Sequence, residues 1–187
     1  MKPPIVINPN RIDLDEAYMQ MAEIWAQRSK ANRFQVGALI VKNRQIISDG
    51  YNGMPADSED DVCEFYDENG ELVTKPEVLH AESNALTKIT ENGGVGASGA
   101  TLYVTLSPCF ECAKLIKQSK IKRVLFRHLY RKDDGIHFLR KKGVEVIQLP
   151  LSSGTSSSQE SSSPQACGHL NNQMNPNSLQ HSKRKKR

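Results

Sequence analysis

The segment TLYVTLSPCFECAKLIKQSKIKRVLFRH, residues 101–128, decides the fold of this chain. It reads as a strand over Thr101 to Leu106, a helix over Pro108 to Ser119, and a second strand over Arg123 to His128. A helix over Asp133 to Lys142 and a strand over Val144 to Leu149 continue the alternation. Alternating strands and helices imply parallel strands joined by right-handed crossovers, with helices covering the sheet. The sequence therefore predicts a three-layer α/β domain.

The residues before this segment predict a helix, a hairpin and a second helix. The first helix should run from Asp13, its N-cap, to Lys30, with Glu16 as the capping-box partner. Its 3.6-residue apolar period predicts a face that packs in the core, formed by Leu14, Ala17, Tyr18, Met21, Ile24 and Trp25. Strands over Val36 to Val41 and Ile46 to Tyr51 should form an antiparallel hairpin. Helical character returns from His80 to about Glu91.

Composition divides the chain into a domain at residues 1–150 and a tail at residues 151–187. Within the domain, the acidic insertion at residues 53–79 lacks periodicity, and connections of this length are usually functional or mobile. The tail is rich in Ser, Gln and Asn, so it buries too little apolar surface to fold and should be disordered. It ends in the basic run Lys183 to Arg187, which is a nuclear localisation signal, a nucleic-acid patch or a solvated end.

The charge distribution argues for a small substrate. The net charge of +4 comes from the tail, because the domain carries 20 basic and 20 acidic residues. A neutral domain argues against a large nucleic-acid footprint, which requires clustered basic charge. No segment approaches a membrane span and the N-terminus lacks a signal peptide, so the sequence predicts a soluble, intracellular and cytoplasmic protein without a membrane partner.

The candidate metal-binding and catalytic residues lie in two motifs, His80-Ala81-Glu82 and Pro108-Cys109-Phe110-Glu111-Cys112. The pair C-x-x-C is a disulfide, a redox pair or a metal site, and the upstream histidine favours metal. With Pro108 at the first helical position, both thiols lie at a helix N-terminus, where the dipole and a metal favour thiolates. His80 and the two cysteines give three zinc ligands and leave a fourth position for water, as in a catalytic site. A structural zinc would need a fourth protein ligand, and Cys63 is the nearest candidate, but Glu82 would then be superfluous.

The combination H-x-E…P-C-x-x-C is the signature of zinc-dependent nucleobase deaminases. Residues 12–150 resemble the cytidine deaminase superfamily, and most closely its deoxycytidylate (dCMP) deaminases from phages. The resemblance rests on Val36-Gly37-Ala38, Gly50-Tyr51-Asn52-Gly53, His80-Ala81-Glu82 and the run from Tyr103 through Cys109 to Cys112. It implies a cytidine deaminase-like fold with a five-stranded mixed sheet, a homo-oligomer, favoured as a hexamer, and control by dCTP as activator and dTTP as inhibitor.

The resemblance also implies a reaction, the hydrolysis of dCMP to dUMP and ammonia. Zinc held by His80, Cys109 and Cys112, one ion per chain, would activate water, and Glu82 would move protons between water, N3 and the departing amine. Some phage members hold a second, structural zinc through a cysteine where this chain has Ala31, and through histidines that its insertion lacks. We therefore expect one zinc, with Cys63 outside the site.

The residues that would contact the substrate each have two interpretations or are chosen by their location. Asn52 resembles a residue that binds sugar or base, although Asn-Gly can simply form a turn. Val36, Gly37, Ala38 and Ser107 should border the pyrimidine or else serve packing, and Tyr130 matches a position near the substrate or is merely half-buried. Candidates for the 5′-phosphate by location are Lys30, Asn32, Arg33, Arg131 and Lys132. Effectors should bind near Tyr51, Gly53 and the insertion.

Two other functions stay open. One is deamination of a related nucleotide such as dCTP, or of a base in nucleic acid, which the neutral domain disfavours. The other is a catalytically silent zinc module that senses nucleotides.

Overall fold

The computed structural model describes residues 11–91 and 96–151, except for the side chains of Thr90 and Glu91. The helices are α1 (Leu14–Ala26), α2 (Ala81–Glu91), α3 (Phe110–Gln118) and α4 (Asp134–Lys141). The strands are β1 (Gly37–Lys42), β2 (Gln45–Tyr51), β3 (Glu64–Tyr66), β4 (Leu72–Thr74), β5 (Thr101–Leu106), β6 (Arg123–His128) and β7 (Glu145–Gln148). None of the helices in these ranges is long and apolar enough to cross a membrane.

Five strands form one mixed sheet in the order β2-β1-β5-β6-β7. β1 is antiparallel to both β2 and β5, while β5, β6 and β7 are parallel. The predicted parallel half and the predicted hairpin are therefore both confirmed. The hairpin turn is tight because Asn43 and Arg44 both have positive φ angles, as a two-residue turn between twisted strands requires.

Helices cover both faces of the sheet, which confirms the three-layer prediction. On one face, α2, α3 and α4 pack on Ile40, Leu102, Val104 and Phe126. On the other face, α1 packs on alternate residues of the same strands, namely Leu39, Val41, Tyr103 and Leu125. Side chains of a strand alternate between faces, so each central strand serves both layers.

The predicted buried face of α1 was largely wrong. Tyr18, Met19, Ala22 and Ala26 are buried, whereas Leu14, Met21, Ile24 and Trp25 are 47%, 43%, 62% and 36% exposed. The close approach of helix to sheet explains the difference. A Cβ on Gly37 would lie 2.0 Å from the carbonyl oxygen of Ala22, so the alanine side of the helix must face β1. The more apolar side consequently faces outward.

The predicted N-cap of α1 is confirmed, but its capping-box partner and the end of the helix differ from prediction. Asp13 is the N-cap, but its carboxylate accepts from the backbone N–H of Asp15, and Glu16 does not complete a capping box. Glu16 instead accepts from Arg127, whose guanidinium also donates to Glu23. The side chain of Arg127 is only 1% exposed, so this cation requires both carboxylates. The helix ends at Ala26 rather than Lys30.

The acidic insertion contains two short strands, although its sequence shows no periodicity. β3 and β4 form a separate antiparallel hairpin in which Glu64 is paired with Thr74. Three-residue strands are too short to show periodicity. The tail beyond Leu151 and the first ten residues lie outside the described residues, so the predicted disorder of residues 151–187 stays a prediction.

Candidate functional site

The two predicted motifs meet where α2 and α3 begin. His80 immediately precedes α2, while Cys109 is the N-cap of α3 and Cys112 lies in its first turn. Pro108 therefore precedes the cap, rather than occupying the first helical position as predicted. The Nδ1 atom of His80 lies 3.5 Å from Sγ of Cys109 and 3.3 Å from Sγ of Cys112.

These three side chains fit a zinc ion. A tetrahedral zinc with ordinary Zn–N and Zn–S bonds separates nitrogen from sulfur by about 3.6 Å, close to both observed distances. Among the described residues, this is the one group of three or more His, Cys, Asp and Glu side chains with converging ligand atoms. Cys63 lies elsewhere, buried with Ala31 and Val78 in a small apolar cluster, where burial raises the pKa of its thiol.

The pKa values of the Cys109 and Cys112 thiols are shifted in opposite directions. A hydrogen bond from the Cys112 thiol, with further help from His80, lowers the pKa of Cys109 to about 3. That same hydrogen bond, together with burial, raises the pKa of Cys112. Without metal, the pair therefore holds one thiolate and one thiol, and a metal that takes both as thiolates must displace a proton.

Two glycines, Gly135 and Gly50, support the two halves of the site. The sequence did not predict this role for either of them. A Cβ on Gly135, in the first turn of α4, would lie 2.2 Å from the carbonyl oxygen of Pro108. A Cβ on Gly50 of β2 would lie 2.3 Å from the carbonyl oxygen of Ala81. Each glycine thus allows backbone to press against a ligand-bearing turn. A glycine inside a predicted helix was the available signal for Gly135, since it implies close packing.

Glu82 lies in the first turn of α2 and is only 4% exposed. Burial raises the pKa of its carboxyl group to about 6, although contact with His80 opposes the rise. Such a group exchanges its proton readily near neutral pH, as a general acid and base must.

A cavity of about 230 Å³ adjoins these residues. His80, Ala81, Glu82, Leu106, Ser107 and Cys109 line the end nearest the ligands. Of the other predicted substrate residues, Val36, Asn52, Tyr130 and Arg33 also line it. Ser107 accepts a hydrogen bond from the backbone N–H of Tyr130 at 2.8 Å, which ties these two predicted positions together.

Six of the residues predicted to contact the substrate do not line the cavity. Gly37 meets α1, and Ala38 is fully buried in the core on the α2 side of the sheet. Lys30 forms an exposed ion pair with Asp61. Asn32 donates its backbone N–H to Glu64 at 3.0 Å. Arg131 lies over the Phe34 ring at 6.0 Å, beside the cavity wall, whereas Lys132 is exposed.

Asn52 shapes the wall through its own hydrogen bonds. Its Oδ1 accepts from the backbone N–H of Val36 at 2.8 Å, and its Nδ2 donates to the carbonyl oxygen of Phe34 at 2.8 Å. The amide therefore braces the neighbouring chain while retaining one N–H and one lone pair. These hydrogen bonds are compatible with both interpretations of Asn52, as a residue that forms a turn and as a residue that contacts the substrate.

The predicted effector residues lie beside α2. The carbonyl oxygen of Tyr51 accepts from Nδ2 of Asn84 at 2.9 Å, and the Tyr51 ring lies 5.8 Å from the ammonium of Lys88. Gly53 pairs through its backbone with Leu79, the residue before His80.

Sequence reasoning missed most of the far wall of the cavity. Ala31, Phe34, Glu64, Thr74 and Val78 also line it. Three of these belong to the insertion, whose contacts no periodic pattern revealed. A glutamate within an acidic run gave no signal that it was buried, yet Glu64 is 5% exposed.

Comparison with known proteins identifies the arrangement. The family described as the cytidine and deoxycytidylate deaminase zinc-binding region matches residues 12–128. The deoxycytidylate deaminase of Enterobacteria phage T4 is 35% identical over 173 residues, covering 71% of this chain and 88% of that protein. The human deoxycytidylate deaminase is 44% identical over 118 residues, covering 62% of this chain and 65% of the human protein.

A solved structure shares the fold. The dCMP deaminase of cyanophage S-TIM5, determined in complex with dCMP and dUMP, is 41% identical to this chain and has a TM-score of 0.68. The match covers 77% of this chain and all of the cyanophage chain. On the evidence of this fold, of the converging His80, Cys109 and Cys112, and of the family match, the chain belongs to the cytidine and deoxycytidylate deaminase family.

Proposed function

We propose that this chain catalyses the zinc-dependent hydrolysis of dCMP to dUMP and ammonia. The observation that carries the proposal is a buried glutamate, Glu82, next to three converging candidate zinc ligands in the lining of one cavity. A structural zinc module has no use for a buried carboxyl group there, because burial of an ionisable group is costly. The similar proteins from phage T4 and cyanophage S-TIM5 are named for the same substrate.

His80, Cys109 and Cys112 would hold the zinc ion. When bound, zinc acts as a Lewis acid that brings the pKa of a coordinated water toward neutrality. The chain's own contribution is the transfer of two protons. Glu82 accepts a proton from the attacking water and delivers it to N3 of the pyrimidine, then carries the second proton to the amine at C4. The carbon–nitrogen bond breaks, ammonia leaves, and the oxygen remains as the uracil carbonyl.

The protonation state of Glu82 suits this role. With its pKa raised to about 6, the carboxyl group is mostly ionised at neutral pH and can accept a proton. It also gives that proton up readily, because its pKa lies close to neutral pH.

Arg33 is the phosphate partner that we favour among the predicted candidates. Of the described residues that line the cavity, it is the one with a guanidinium or ammonium group. Glu64 lines the cavity as well, so its carboxylate offsets part of that positive charge. One partly compensated guanidinium suits a single phosphate better than three, which favours dCMP over dCTP as the substrate.

We also propose homo-oligomerisation, with a hexamer as the expected form, and control by dCTP and dTTP. The outward side of α1 supports assembly, since one helix exposes four large apolar side chains, those of Leu14, Met21, Ile24 and Trp25. Contacts of Tyr51 with Asn84, and of Gly53 with Leu79, support an effector influence on α2, the helix that carries Glu82. A nucleotide substrate favours a cytoplasmic location.

The test is ammonia release from dCMP, dCTP, CMP, deoxycytidine and a short single-stranded DNA, with and without dCTP or dTTP as effector. We expect turnover of dCMP first. Glu82→Gln should reduce kcat at least about 10³-fold, within the range for lost acid–base catalysis, while retaining one zinc per chain. Glu77→Gln, an exposed substitution three residues before His80, is the control. Turnover of DNA alone would refute the proposal, as would a fully active Glu82→Gln.

A further inference from the structure

The insertion hairpin contributes two polar side chains to the cavity wall, Glu64 from β3 and Thr74 from β4. These residues are register partners across the hairpin. Partners in an antiparallel pair project from the same face, so one position of the hairpin presents both groups. Both contact Arg33, which lies outside the insertion.

Glu64 fixes the backbone that carries Arg33. Its Oε1 accepts from the backbone N–H of Asn32 at 3.0 Å and from that of Arg33 at 3.2 Å. The side chain is 5% exposed, so these hydrogen bonds replace the water that the carboxylate has lost. The segment between α1 and β1 is thereby attached to the hairpin.

Thr74 fixes the other end of the same residue. Its Oγ1 accepts from Nη1 of Arg33 at 3.2 Å. Threonine has few χ1 rotamers, so its hydroxyl is a well-defined acceptor. A guanidinium has five N–H donors, and this contact occupies one of them. Within residues 11–91 and 96–151 the guanidinium donates no other hydrogen bond, so its remaining donors can form a two-point contact with an anion in the cavity.

We propose that Glu64 and Thr74 are positioning residues that hold Arg33 ready for the 5′-phosphate of the substrate. The preference for a nucleotide over a nucleoside would then depend on the insertion hairpin, and not on the zinc-binding turns. This inference rests on the proposed function, since it takes dCMP as the substrate. Glu64 and Thr74 need not touch the substrate, because each acts through Arg33.

The experiment compares dCMP with deoxycytidine, which lacks the phosphate, using the full zinc-loaded chain. Thr74→Val removes the hydroxyl at nearly constant shape and should raise KM for dCMP about tenfold, with kcat nearly unchanged. Thr74→Ser restores the acceptor and should recover most of the loss. For deoxycytidine, Thr74→Val should leave kcat/KM within about twofold of the wild-type value, because there is no phosphate to bind.

Two controls separate positioning from damage to the fold. Thr101→Val makes the same chemical change at the start of β5, at the opposite end of that strand from the cavity, and should leave KM unchanged. In an Arg33→Ala background, Thr74→Val should have no further effect on KM for dCMP, because Thr74 acts only through the side chain of Arg33. Glu64→Gln should also raise KM for dCMP selectively, whereas Glu68→Gln, exposed on the same hairpin, should not.

The outcomes distinguish this inference from the proposed function. If the wild-type chain does not deaminate dCMP, both fail. If it does, but Thr74→Val leaves KM for dCMP unchanged, only the positioning role is overturned. Equal losses with dCMP and deoxycytidine would also overturn it, because they would show a general defect of the cavity.

Discussion

Replacing Gly135 by alanine should weaken zinc binding, although it leaves the three candidate zinc ligands themselves unchanged. The new Cβ would lie 2.2 Å from the carbonyl oxygen of Pro108 and 2.9 Å from the carbonyl carbon of Cys109. Ordinary van der Waals contact begins at 3.4 Å, so the turn or the start of α4 must move by about 1.2 Å. The crowding atoms are backbone, and backbone held between α3 and α4 cannot swing aside as a flexible side chain would.

The expected magnitude follows from the tolerance of a zinc site. Metal–ligand distances vary by only about 0.2 Å, so a shift of the Cys109 turn by several times that amount misplaces its sulfur. Loss of a group that orients a ligand typically lowers metal affinity about 10- to 100-fold. We expect Gly135→Ala to fall within this range, with a corresponding loss of deamination at limiting zinc that added zinc partly restores.

The assay is competition for zinc between the protein and a chromophoric chelator, followed by absorbance. Gly96→Ala is the matched control, because a Cβ at Gly96 meets no atom within 4 Å. Circular dichroism of the zinc-free variants checks that the fold survives. Wild-type zinc affinity in a folded Gly135→Ala would refute the argument that α4 sets the position of the Cys109 turn.

Two further predictions concern stability and assembly. The Arg123 guanidinium, with a hydrogen bond from Tyr103, holds the pKa of Asp15 below its usual range, so the folded state binds this proton more weakly than the unfolded chain does. The resulting stabilisation is complete above about pH 4 and is lost as the pH falls through the lowered pKa. Asp15→Asn should therefore lower the free energy of unfolding by about 1–2 kcal/mol at neutral pH and flatten its acid dependence in urea titrations. Glu111→Gln, at a side chain that is 75% exposed, should do neither, and an unchanged acid dependence in Asp15→Asn would contradict the assignment. Ile24 is 62% exposed on α1, so Ile24→Lys should change the stability of the protomer little. If this face of α1 joins subunits, the same substitution should reduce the mass measured by sedimentation. Val62→Lys, 54% exposed on the insertion, should leave the mass as it is, and an Ile24→Lys variant that sediments like the wild type would exclude this face from the assembly.

Local patterns in the sequence were enough for the individual strands of the sheet and for the metal-binding motifs. The strands Thr101–Leu106 and Arg123–His128 were predicted with the bounds they have, because continuous apolar runs between turn residues are strong signals of buried strands. The converging group of His80, Cys109 and Cys112 was predicted because few other residue types bind zinc and their spacing is restrictive. Asp13 as N-cap was likewise a local property.

Contacts between distant segments required the tertiary structure. The apolar period of α1 showed that the helix has a face, but the missing Cβ of Gly37 decided that Ala22 rather than Ile24 would meet the sheet. Similarly, Lys30, Asn32 and Arg33 were equivalent phosphate candidates in the sequence. Only the tertiary structure distinguishes them, because Lys30 pairs with Asp61, Asn32 donates to Glu64, and Arg33 lines the cavity.

The amino-acid sequence by itself determined the alternation of strands and helices, the candidate zinc ligands and the glutamate beside them, because each depends on residues close together in the chain. The tertiary structure decided that Glu82 is buried enough to raise its pKa to about 6, that Gly135 supports the Cys109 turn, and that the insertion walls the cavity. Burial, backbone clearance and the shape of a cavity depend on which distant segments are brought together, and no local pattern records that.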